Sequence, residues 1–378
     1  MSGAEVVIVG GGVTGLSAGW WLARSGVKVT VLDKGIVGWE ASGRNGGGAS
    51  HYQSPLFDEE HRLWPQMDEL LGYPTEHQKE RIIIAMTERQ WEQYRFVAER
   101  HNRLGHPVDV LDVKQVQEAV PLAGDKCFGG VHYRFGGHAN PQRTSQAYAW
   151  ALQDLGGTII QHNAVTGFET AGGKVTAVKT AAASYGCDTV VVAAGPQTAM
   201  LMAKLGIAVP LAAARAEMII TEPAPMMPIG GVDGHKLYGR QTMRGNLAYG
   251  GGPHEWIDVD PAGPVARPST PLMRNLASRL AELLPKAAHL NVIRSWAGVI
   301  ENSPDGRPII DRLTSPDNVV VASMSGVGFG LSPASGHAIR DLVIDGKCSF
   351  ADIGILGLSR FAGLEADWRE KRGWLPIS

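Results

Sequence analysis

The chain has 378 residues, 44% of them apolar, so its length favours two domains or one large two-part fold. Its formal net charge of −2 and the absence of any apolar run of membrane-spanning length give no reason to expect nucleic acid, an anionic membrane surface or a transmembrane segment. The three cysteines are widely separated and form no CxxC pair, which argues against a disulfide framework or a metal site and favours a reducing, cytoplasmic location.

The chain opens with a complete βαβ unit for dinucleotide binding. A short β-branched run at 5–9 precedes a helix that ends at about Ser25, and a second strand at 27–32 ends at Asp33. The turn into the helix carries three glycines in GxGxxG spacing, Gly10, Gly12 and Gly15. These glycines allow a tight turn, close approach of a pyrophosphate and close helix packing, while the carboxylate of Asp33 suits ribose hydroxyls. The unit therefore predicts a phosphate site at the start of the helix.

After this unit, the pattern of predicted helices and strands changes twice. Residues 51–140 mix helices with irregular pieces, and short strands follow from about 158 to 195. Residues 206–294 contain antiparallel strand patterns, followed by a helix that begins at Thr270 and Pro271, a cap and a first-turn proline. That helix carries a stripe predicted to be core, Leu272, Leu276, Leu280 and Leu283. The last part of the chain returns to the nucleotide-domain pattern.

We therefore predict a mixture of α/β and α+β structure. A Rossmann-like dinucleotide-binding domain at 1–50, 141–205 and 295–378 is interrupted by a second domain at 51–140 and 206–294. The second domain is expected to be built on a mixed or antiparallel sheet with helices, and to bind substrate or form an interface.

A second glycine-rich turn occurs near the end of the chain. The segment SMSGVGFGLSPASG, at 323–336, follows a strand pattern and leads into a helix predicted to begin after Pro333. Backbone N–H groups of such a turn, and the positive end of the helix, would stabilise negative charge on a bound group.

Four motifs in order resemble the FAD-dependent D-amino acid oxidase superfamily, which includes glycine oxidase, sarcosine oxidases and related amine dehydrogenases. They are the GxGxxG unit, ASGRNGGG at 41–48, DTVVVAAGP at 188–196, and SPDGRPIID at 303–311 followed by NVVVASMSGVGFGLSP at 318–333. The resemblance implies that the first domain binds FAD. It also implies oxidation of an amino acid C–N bond by hydride transfer to flavin N5, with hydrolysis of the resulting imine.

Departures from the superfamily pattern narrow the resemblance. In WAGVIENSPDG, Ile300 or Glu301 stands where many members have a carboxylate-binding arginine. This is most similar to the β subunits of hetero-oligomeric sarcosine oxidases and of dye-linked proline, hydroxyproline and opine dehydrogenases. Those relatives imply partner subunits, with membrane association only through such partners. Gly330 replaces a lysine of several sarcosine oxidases, which favours a dehydrogenase over an oxidase.

The resemblance also implies how the flavin is held. Pro141 stands where some sarcosine oxidase subunits attach FMN through a histidine, and Gly298 stands near the cysteine that tethers FAD in monomeric sarcosine oxidases. We therefore expect non-covalent FAD, with FMN or an iron–sulfur cluster only through partner subunits. The cofactor-binding positions carried over are Gly10, Gly12, Val13, Gly15, Asp33, Lys34, Ser42, Arg44, Asn45, Gly46, Gly47, Val165, Ala194, Gly195, Gly298, Gly326, Gly328, Phe329, Gly330 and Leu331.

Candidates for the substrate site come from the second domain and its borders. Arg240 in KLYGRQT is the first choice for the substrate carboxylate, and strand alternation places Tyr238 on the same face. Arg244, at the following turn, is expected to be solvent-exposed, and Arg215 is a second choice. His51 or Glu301 would take the amine proton, unless the site binds the neutral amine and needs no base. His138 is interpreted as a loop residue before a helix.

Three alternatives stay open at this point. One is an amino acid oxidase of the glycine, D-amino acid or sarcosine type that produces hydrogen peroxide. Another is an NAD-dependent dehydrogenase, against which the order of the four motifs argues. The third is a non-catalytic or electron-passing flavin subunit of a larger complex.

Overall fold

The structure is a computed structural model, and it describes residues 5–51, 53–259 and 266–372. The ends of the predicted first domain at 1–4 and 373–378, and part of the predicted segment 206–294, therefore lie outside the described residues. The α-helices are α1 (Val13–Arg24), α2 (Ala41–Arg44), α3 (Phe57–Leu63), α4 (Met67–Leu71), α5 (Glu88–Arg103), α6 (Val113–Ala119), α7 (Pro141–Asp154), α8 (Thr198–Ala203), α9 (Thr270–Leu283), α10 (Gly328–Ile344) and α11 (Trp368–Arg372).

The strands form three sheets. In chain order they are β1 (Glu5–Val9), β2 (Lys28–Leu32), β3 (Arg81–Ala85), β4 (Val108–Leu111), β5 (Gly129–Tyr133), β6 (Thr158–Ile160), β7 (Val165–Ala171), β8 (Lys174–Thr180), β9 (Ser184–Gly186), β10 (Thr189–Val192), β11 (Ala212–Pro223), β12 (Val232–Gly234), β13 (Leu237–Gln241), β14 (Asn246–Gly251), β15 (Glu255–Ile257), β16 (Val292–Asn302), β17 (Ile309–Arg312) and β18 (Val319–Ser323).

The first sheet has the order β17–β18–β10–β1–β2–β6, parallel except for the edge strand β17. Both of its faces are covered, because β1 alternates between two cores: Val6 and Ile8 pack in the core with α1, α7 and α10, while Val7 and Val9 pack with β8 and α8. Because both faces of the sheet are buried, the sequences of these strands are continuous runs of β-branched residues. The predicted βαβ unit is confirmed.

The second sheet has the order β15–β11–β14–β13–β12–β3–β5–β4, and β16 pairs along β11. On one face, Leu247 and Tyr249 of β14 pack against the α9 residues Leu276 and Leu280. The leucine stripe is therefore core, as its spacing predicts. On the opposite face, Arg240 of β13 donates a hydrogen bond to the carbonyl of Gly46, in the segment after α2. A mixed sheet with helices next to a Rossmann-like sheet agrees with the predicted fold class.

Two segments pack differently from the predicted domain division. Helices α3 and α4 were expected in the second domain, but Leu63, Trp64 and Met67 lie in the same core as α1 and α10. Strand β16 was expected from 295 onward in the first domain, but it pairs with β11 over its length. In both cases contacts in three dimensions decide where the segment packs: the helices find an apolar core, and the strand finds a strand edge. Local sequence shows neither contact.

Helix α10 also begins earlier than predicted. It starts at Gly328, and Pro333 lies inside it rather than before it. The turn that leads into it contains Ser325 and Gly326 with positive φ angles of 49° and 82°. A proline in the second turn removes one backbone hydrogen bond, and the close packing of α10 on α1 compensates. Among the described residues, no helix has the length and apolar character needed to cross a bilayer.

We predict that Leu276→Ala lowers the free energy of unfolding by about 2–5 kcal/mol, because Leu276 is fully buried between α9 and the second sheet and truncation leaves a cavity. Thermal and urea unfolding would measure this loss. The exposed Asn275 on the same helix provides the control, since Asn275→Ala should change stability by no more than about 0.5 kcal/mol. Equal stability of the two variants would contradict the packing.

Candidate cofactor and substrate site

A groove of about 530 Å³ follows the carboxyl ends of β1, β2, β10 and β18. Ligands of open parallel sheets bind at this edge, because the loops after the strands converge there. Both glycine-rich turns line the groove, the first through Gly10 and Gly12 and the second through Gly326 and Gly328. Segments more than three hundred residues apart in the chain therefore form one site.

The first glycine turn has two kinds of position. Gly10 has a φ of 109°, and a side chain there would collide with the Ala193 backbone; one at Gly15 would collide with the Gly10 carbonyl. A Cβ at Gly12, by contrast, would lie 3.1 Å from the Ser42 hydroxyl and otherwise face the groove. Gly10 and Gly15 are thus needed by the fold, and Gly12 keeps the groove open.

Helices α1 and α10 run side by side in the same direction. Gly328 lies near Thr14, Gly336 packs on Ser17, and the Trp21 indole donates to the carbonyl of Pro333 at 3.0 Å. Both helices therefore begin at the groove. The two sets of first-turn N–H groups and the two helix dipoles favour a negatively charged ligand there.

Asp33 is fixed at the end of β2. Its carboxylate accepts the N–H groups of Gly11 and Gly35, both at 2.7 Å. Each oxygen keeps a further lone pair, so the carboxylate can still accept ribose hydroxyls from the groove that it lines. Lys34 lies beside it, 3.5 Å from Glu40.

Glu301 lines the same groove from β16. It is 8% exposed, and its Oε1 accepts the N–H of Met324 at 3.0 Å and the hydroxyl of Ser323 at 3.3 Å. Burial raises the pKa of this carboxyl, against the effect of those hydrogen bonds. Glu301, expected from the sequence as a candidate proton acceptor, therefore lies against the cofactor groove.

The groove fits FAD. Its glycine cradle, paired helix starts and ribose-type carboxylate suit the adenosine and pyrophosphate, and the second glycine turn extends the wall. The predicted cofactor positions that line it are Gly10, Gly12, Val13, Asp33, Lys34, Ser42, Asn45, Val165, Ala194, Gly195, Gly326, Gly328 and Phe329. The predicted positions that are not among its lining residues are Gly15, Arg44, Gly46, Gly47, Gly298, Gly330 and Leu331.

Residues 44–47, Arg-Asn-Gly-Gly, start at the last residue of α2 and lie between the groove and the second sheet. Arg240 on β13 is buried, and its Nη1 donates to the carbonyl of Gly46 at 2.6 Å. Tyr238, on the same face, has its ring next to Gly46, where a Cβ would lie 3.0 Å from it. Asn45 accepts the N–H of Gly47 at 2.8 Å. Both predicted substrate residues of β13 thus lie over this segment.

Arg44 is anchored rather than free. Its Nε donates to the carbonyl of Trp39 at 2.8 Å and its Nη1 to that of Ala297 at 2.9 Å. The indole of Trp296 donates back to the Arg44 carbonyl at 2.9 Å, and Gly298 packs against the Arg44 side chain. Arg44 therefore ties α2 to β16, and it lines a second cavity together with Arg240.

His51 forms a pair that sequence reasoning missed. Its Nδ1 lies 2.8 Å from Oε1 of Glu60, and its backbone N–H donates to Oε2 at 3.0 Å. Glu60 is 1% exposed. The only sequence signal was an acidic pair at the start of a helix, which is ordinary for a helix N-terminus. The ring of His51 packs on Gly330, so a side chain at Gly330 would collide with it.

The contact with His51 changes the expected effect of a side chain at Gly330. In the sequence, glycine in place of a lysine at this position favours a dehydrogenase over an oxidase. Because His51 and the Gly48 carbonyl occupy the space, and Trp64 donates to the Gly330 carbonyl at 2.7 Å, Gly330→Lys would first displace His51. Leu331 is fully buried in the core.

Other candidates are placed away from the groove. Arg215 lies 3.1 Å from Glu217 and 2.6 Å from Glu255, so its charge is already paired. His138 is 3% exposed, and burial lowers its pKa to about 3. Pro141 begins α7 after the Asn140 cap, as predicted. Arg244 is exposed in the turn after β13, also as predicted.

Comparison with known proteins settles the family. The FAD dependent oxidoreductase family, also called DAO, matches residues 5–342. The chain belongs to this family. This FAD-dependent oxidoreductase therefore uses FAD as its cofactor, and the resemblance to the D-amino acid oxidase superfamily is confirmed.

Individual relatives of this oxidoreductase cover nearly its whole length. The beta subunit of sarcosine oxidase from Rhodobacter capsulatus is 26% identical over 373 residues, which cover 94% of this chain and 88% of that protein. One opine oxidase subunit, from Rhizobium meliloti, is 28% identical over 390 residues, covering 96% and 99%. The crystal structure of L-proline dehydrogenase from P. horikoshii has a TM-score of 0.86 at 24% identity, covering 96% and 98%, which confirms the fold.

We predict that Gly12→Ala weakens FAD binding by about tenfold or more, which corresponds to about 1.4 kcal/mol, because its methyl group enters the groove. The apoprotein should keep its unfolding temperature, since Gly12 has an ordinary φ of −74°. Gly15→Ala is the contrasting variant and should lower both stability and affinity. Flavin fluorescence titration and thermal unfolding of the apoproteins would test this. Unchanged FAD affinity in Gly12→Ala would contradict the placement of the pyrophosphate.

We predict that Glu301→Gln becomes increasingly more stable than the unchanged apoprotein as the pH rises. The folded pKa of Glu301 lies above its ordinary value of 4.5, so above that pH the unfolded chain loses the proton first and stability falls. The amide keeps the acceptor for Met324 without this loss. Unfolding temperatures between about pH 4 and pH 8 would show it. The exposed Glu92→Gln should show no such divergence, and parallel curves for Glu301→Gln would refute the prediction.

Proposed function

We propose that this oxidoreductase oxidises the C–N bond of a secondary-amine amino acid of the opine, proline or hydroxyproline, or sarcosine type, and passes the electrons to an acceptor other than NAD. FAD would supply the two-electron acceptor, and the imine product would hydrolyse in water. Three of the relatives are named for sarcosine, opines and L-proline, and these three kinds of substrate contain a secondary amine.

The observation that carries this proposal is the position of β13. It holds Arg240 and Tyr238 on the face of the second sheet that lies over Gly46 and Gly47. This segment leads directly into the cofactor groove through Asn45. A substrate between β13 and the groove would therefore meet a cation on one side and the cofactor on the other.

Arg240 would bind the substrate carboxylate. Its guanidinium is planar and can form two parallel hydrogen bonds to a carboxylate. Burial lowers its pKa to about 10, so it stays protonated at neutral pH. Among the described residues it donates one hydrogen bond, to Gly46, which leaves N–H groups for a ligand.

His51 would accept the amine proton. Glu60 holds its Nδ1, which orients the ring and leaves Nε2 as the basic atom. Glu301 is less suited to this role, because its Oε1 is already held by Met324 and Ser323. A site that selects the neutral amine would work without either residue, and a pH profile of His51→Gln distinguishes these cases.

The groove supports non-covalent attachment of FAD. Covalent flavins are bound through a nucleophilic side chain, such as cysteine or histidine. Among the described residues that line the groove there is no cysteine, histidine or tyrosine.

We further propose that the chain works as a subunit of a hetero-oligomer. Two of its relatives are named as subunits. Trp39, Met243 and Ile293 expose 52%, 58% and 58% of their surface, and they lie on or next to the lining of the second cavity. Exposed apolar groups of this kind are typical of protein contacts.

The direct test is anaerobic mixing of the FAD-loaded chain with sarcosine, proline, hydroxyproline and opines, without NAD. Loss of the oxidised flavin absorbance with one of them is expected. Turnover should then be faster with a dye acceptor than with oxygen. Flavin that none of these amines reduces would refute the proposal, and faster turnover with oxygen would favour a peroxide-producing oxidase.

We predict that Arg240→Lys raises KM for the amino acid by about 10–100-fold, equivalent to roughly 1.4–2.8 kcal/mol, because lysine keeps the charge but loses the two-point contact. The matched control is Arg215→Lys, on the same sheet but paired with Glu217 and Glu255, which should leave KM unchanged. Steady-state kinetics with the best substrate of the panel would measure both. An unchanged KM in Arg240→Lys would remove this residue from the substrate site.

A further inference from the structure

The FAD groove is lined by more acidic side chains than basic ones. Among the described residues that line it, the acids are Asp33, Glu40, Asp258 and Glu301, and the one cation is Lys34. The groove therefore meets its anionic cofactor with backbone N–H groups and helix starts rather than with side-chain charge. A carboxylate in this lining needs a compensating partner, because otherwise it repels the pyrophosphate of FAD.

Three of the four acids have such partners. The carboxylate of Asp33 accepts two backbone N–H groups, both at 2.7 Å. Glu40 lies 3.5 Å from the ammonium group of Lys34, and Asp258 lies 3.2 Å from the guanidinium group of Arg369. Asp258 is also exposed, so water screens its charge.

Glu301 has no cationic partner. It forms no ion pair within the described part of the chain, and no nearby charge contributes to the pKa of its carboxyl group. On the paired strand β11, Arg215 stands two positions beyond the residue opposite Glu301, but its charge is held by Glu217 and Glu255. On α2, Arg44 donates to backbone carbonyls. Glu301 is thus the uncompensated acid of the groove.

The carboxyl group of Glu301 lies between the turns that follow β10 and β18. Its Oε1 accepts hydrogen bonds from Ser323 and Met324, and its Oε2 lies 3.7 Å from the position that a Cβ would take at Gly195. Neither turn carries a charged side chain. Burial disfavours the ionised form and the hydrogen bonds favour it; the effect of burial is larger, so the pKa is raised.

We propose that Glu301 is a neutral carboxylic acid in the FAD-loaded protein, that it takes up its proton from solvent when FAD binds, and that its O–H donates a hydrogen bond to the cofactor. Oε1 remains the acceptor for Met324 and Ser323, and Oε2 carries the proton. A protonated carboxyl supplies one donor, whereas an ionised one supplies only acceptors and repels an anion. This role goes beyond the proposed amine oxidation, because it concerns how FAD is held.

Proton uptake makes the affinity for FAD depend on pH. A group whose pKa is raised by binding takes up a proton only between its pKa in the free protein and its pKa in the loaded protein. In that range the dissociation constant rises by about tenfold for each pH unit, and at lower pH it is constant. The pKa of Glu301 in the FAD-free protein lies above the ordinary value of 4.5, so the range begins above that pH.

Titration of the apoprotein with FAD between about pH 5.5 and pH 8.5 would measure this dependence, with flavin fluorescence as the readout. Calorimetry in two buffers with different heats of ionisation counts the protons directly, and it needs no variant. Glu301→Gln keeps the acceptor and supplies an N–H donor that does not titrate. It should lose the proton uptake and, at the upper end of the pH range, bind FAD about tenfold or more tightly than the unchanged protein.

Asp258→Asn is the matched control. It removes one acid from the same lining, but an exposed one that is paired with Arg369, so the proton uptake should persist. The proposal is overturned if the unchanged protein binds FAD without proton uptake, if the uptake persists in Glu301→Gln, or if Glu301→Gln binds FAD more weakly than the unchanged protein at about pH 8.5. No amine is present in these measurements, so the role of Glu301 can fail while the proposed oxidation holds, and the reverse.

Discussion

The packing of α10 on α1 is the contact on which the site depends. Gly336 has no room for a side chain against Ser17, and the Ser17 hydroxyl donates to the Ser332 carbonyl at 2.7 Å. This close approach sets two helices side by side with both N-termini at the groove. It also brings the last sheet strand and the second glycine turn to the first. The negative charge of a dinucleotide can then be met by two helix starts at once.

The second sheet uses its two faces for different purposes. One face is apolar and is covered by α9, which buries its hydrophobic side chains. The other face is free to carry polar residues, and Arg240 and Tyr238 stand there above the Gly46 segment. Strand β16 connects the two parts, because it pairs with β11 and its last residues place Glu301 in the groove. A change in the sheet would therefore be transmitted to the cofactor wall.

Local sequence patterns were sufficient to predict much of the fold and part of the candidate site. The βαβ unit, the α9 stripe, and the shared face of Arg240 and Tyr238 follow from periods of two and 3.6 residues, which neighbouring residues fully define. Three features did not follow: the pairing of His51 with Glu60, the place of α3 and α4 in the first core, and the attachment of Arg44 to β16. They depend on contacts between segments far apart in the chain, and only the packing of the two sheets decides which surfaces face each other.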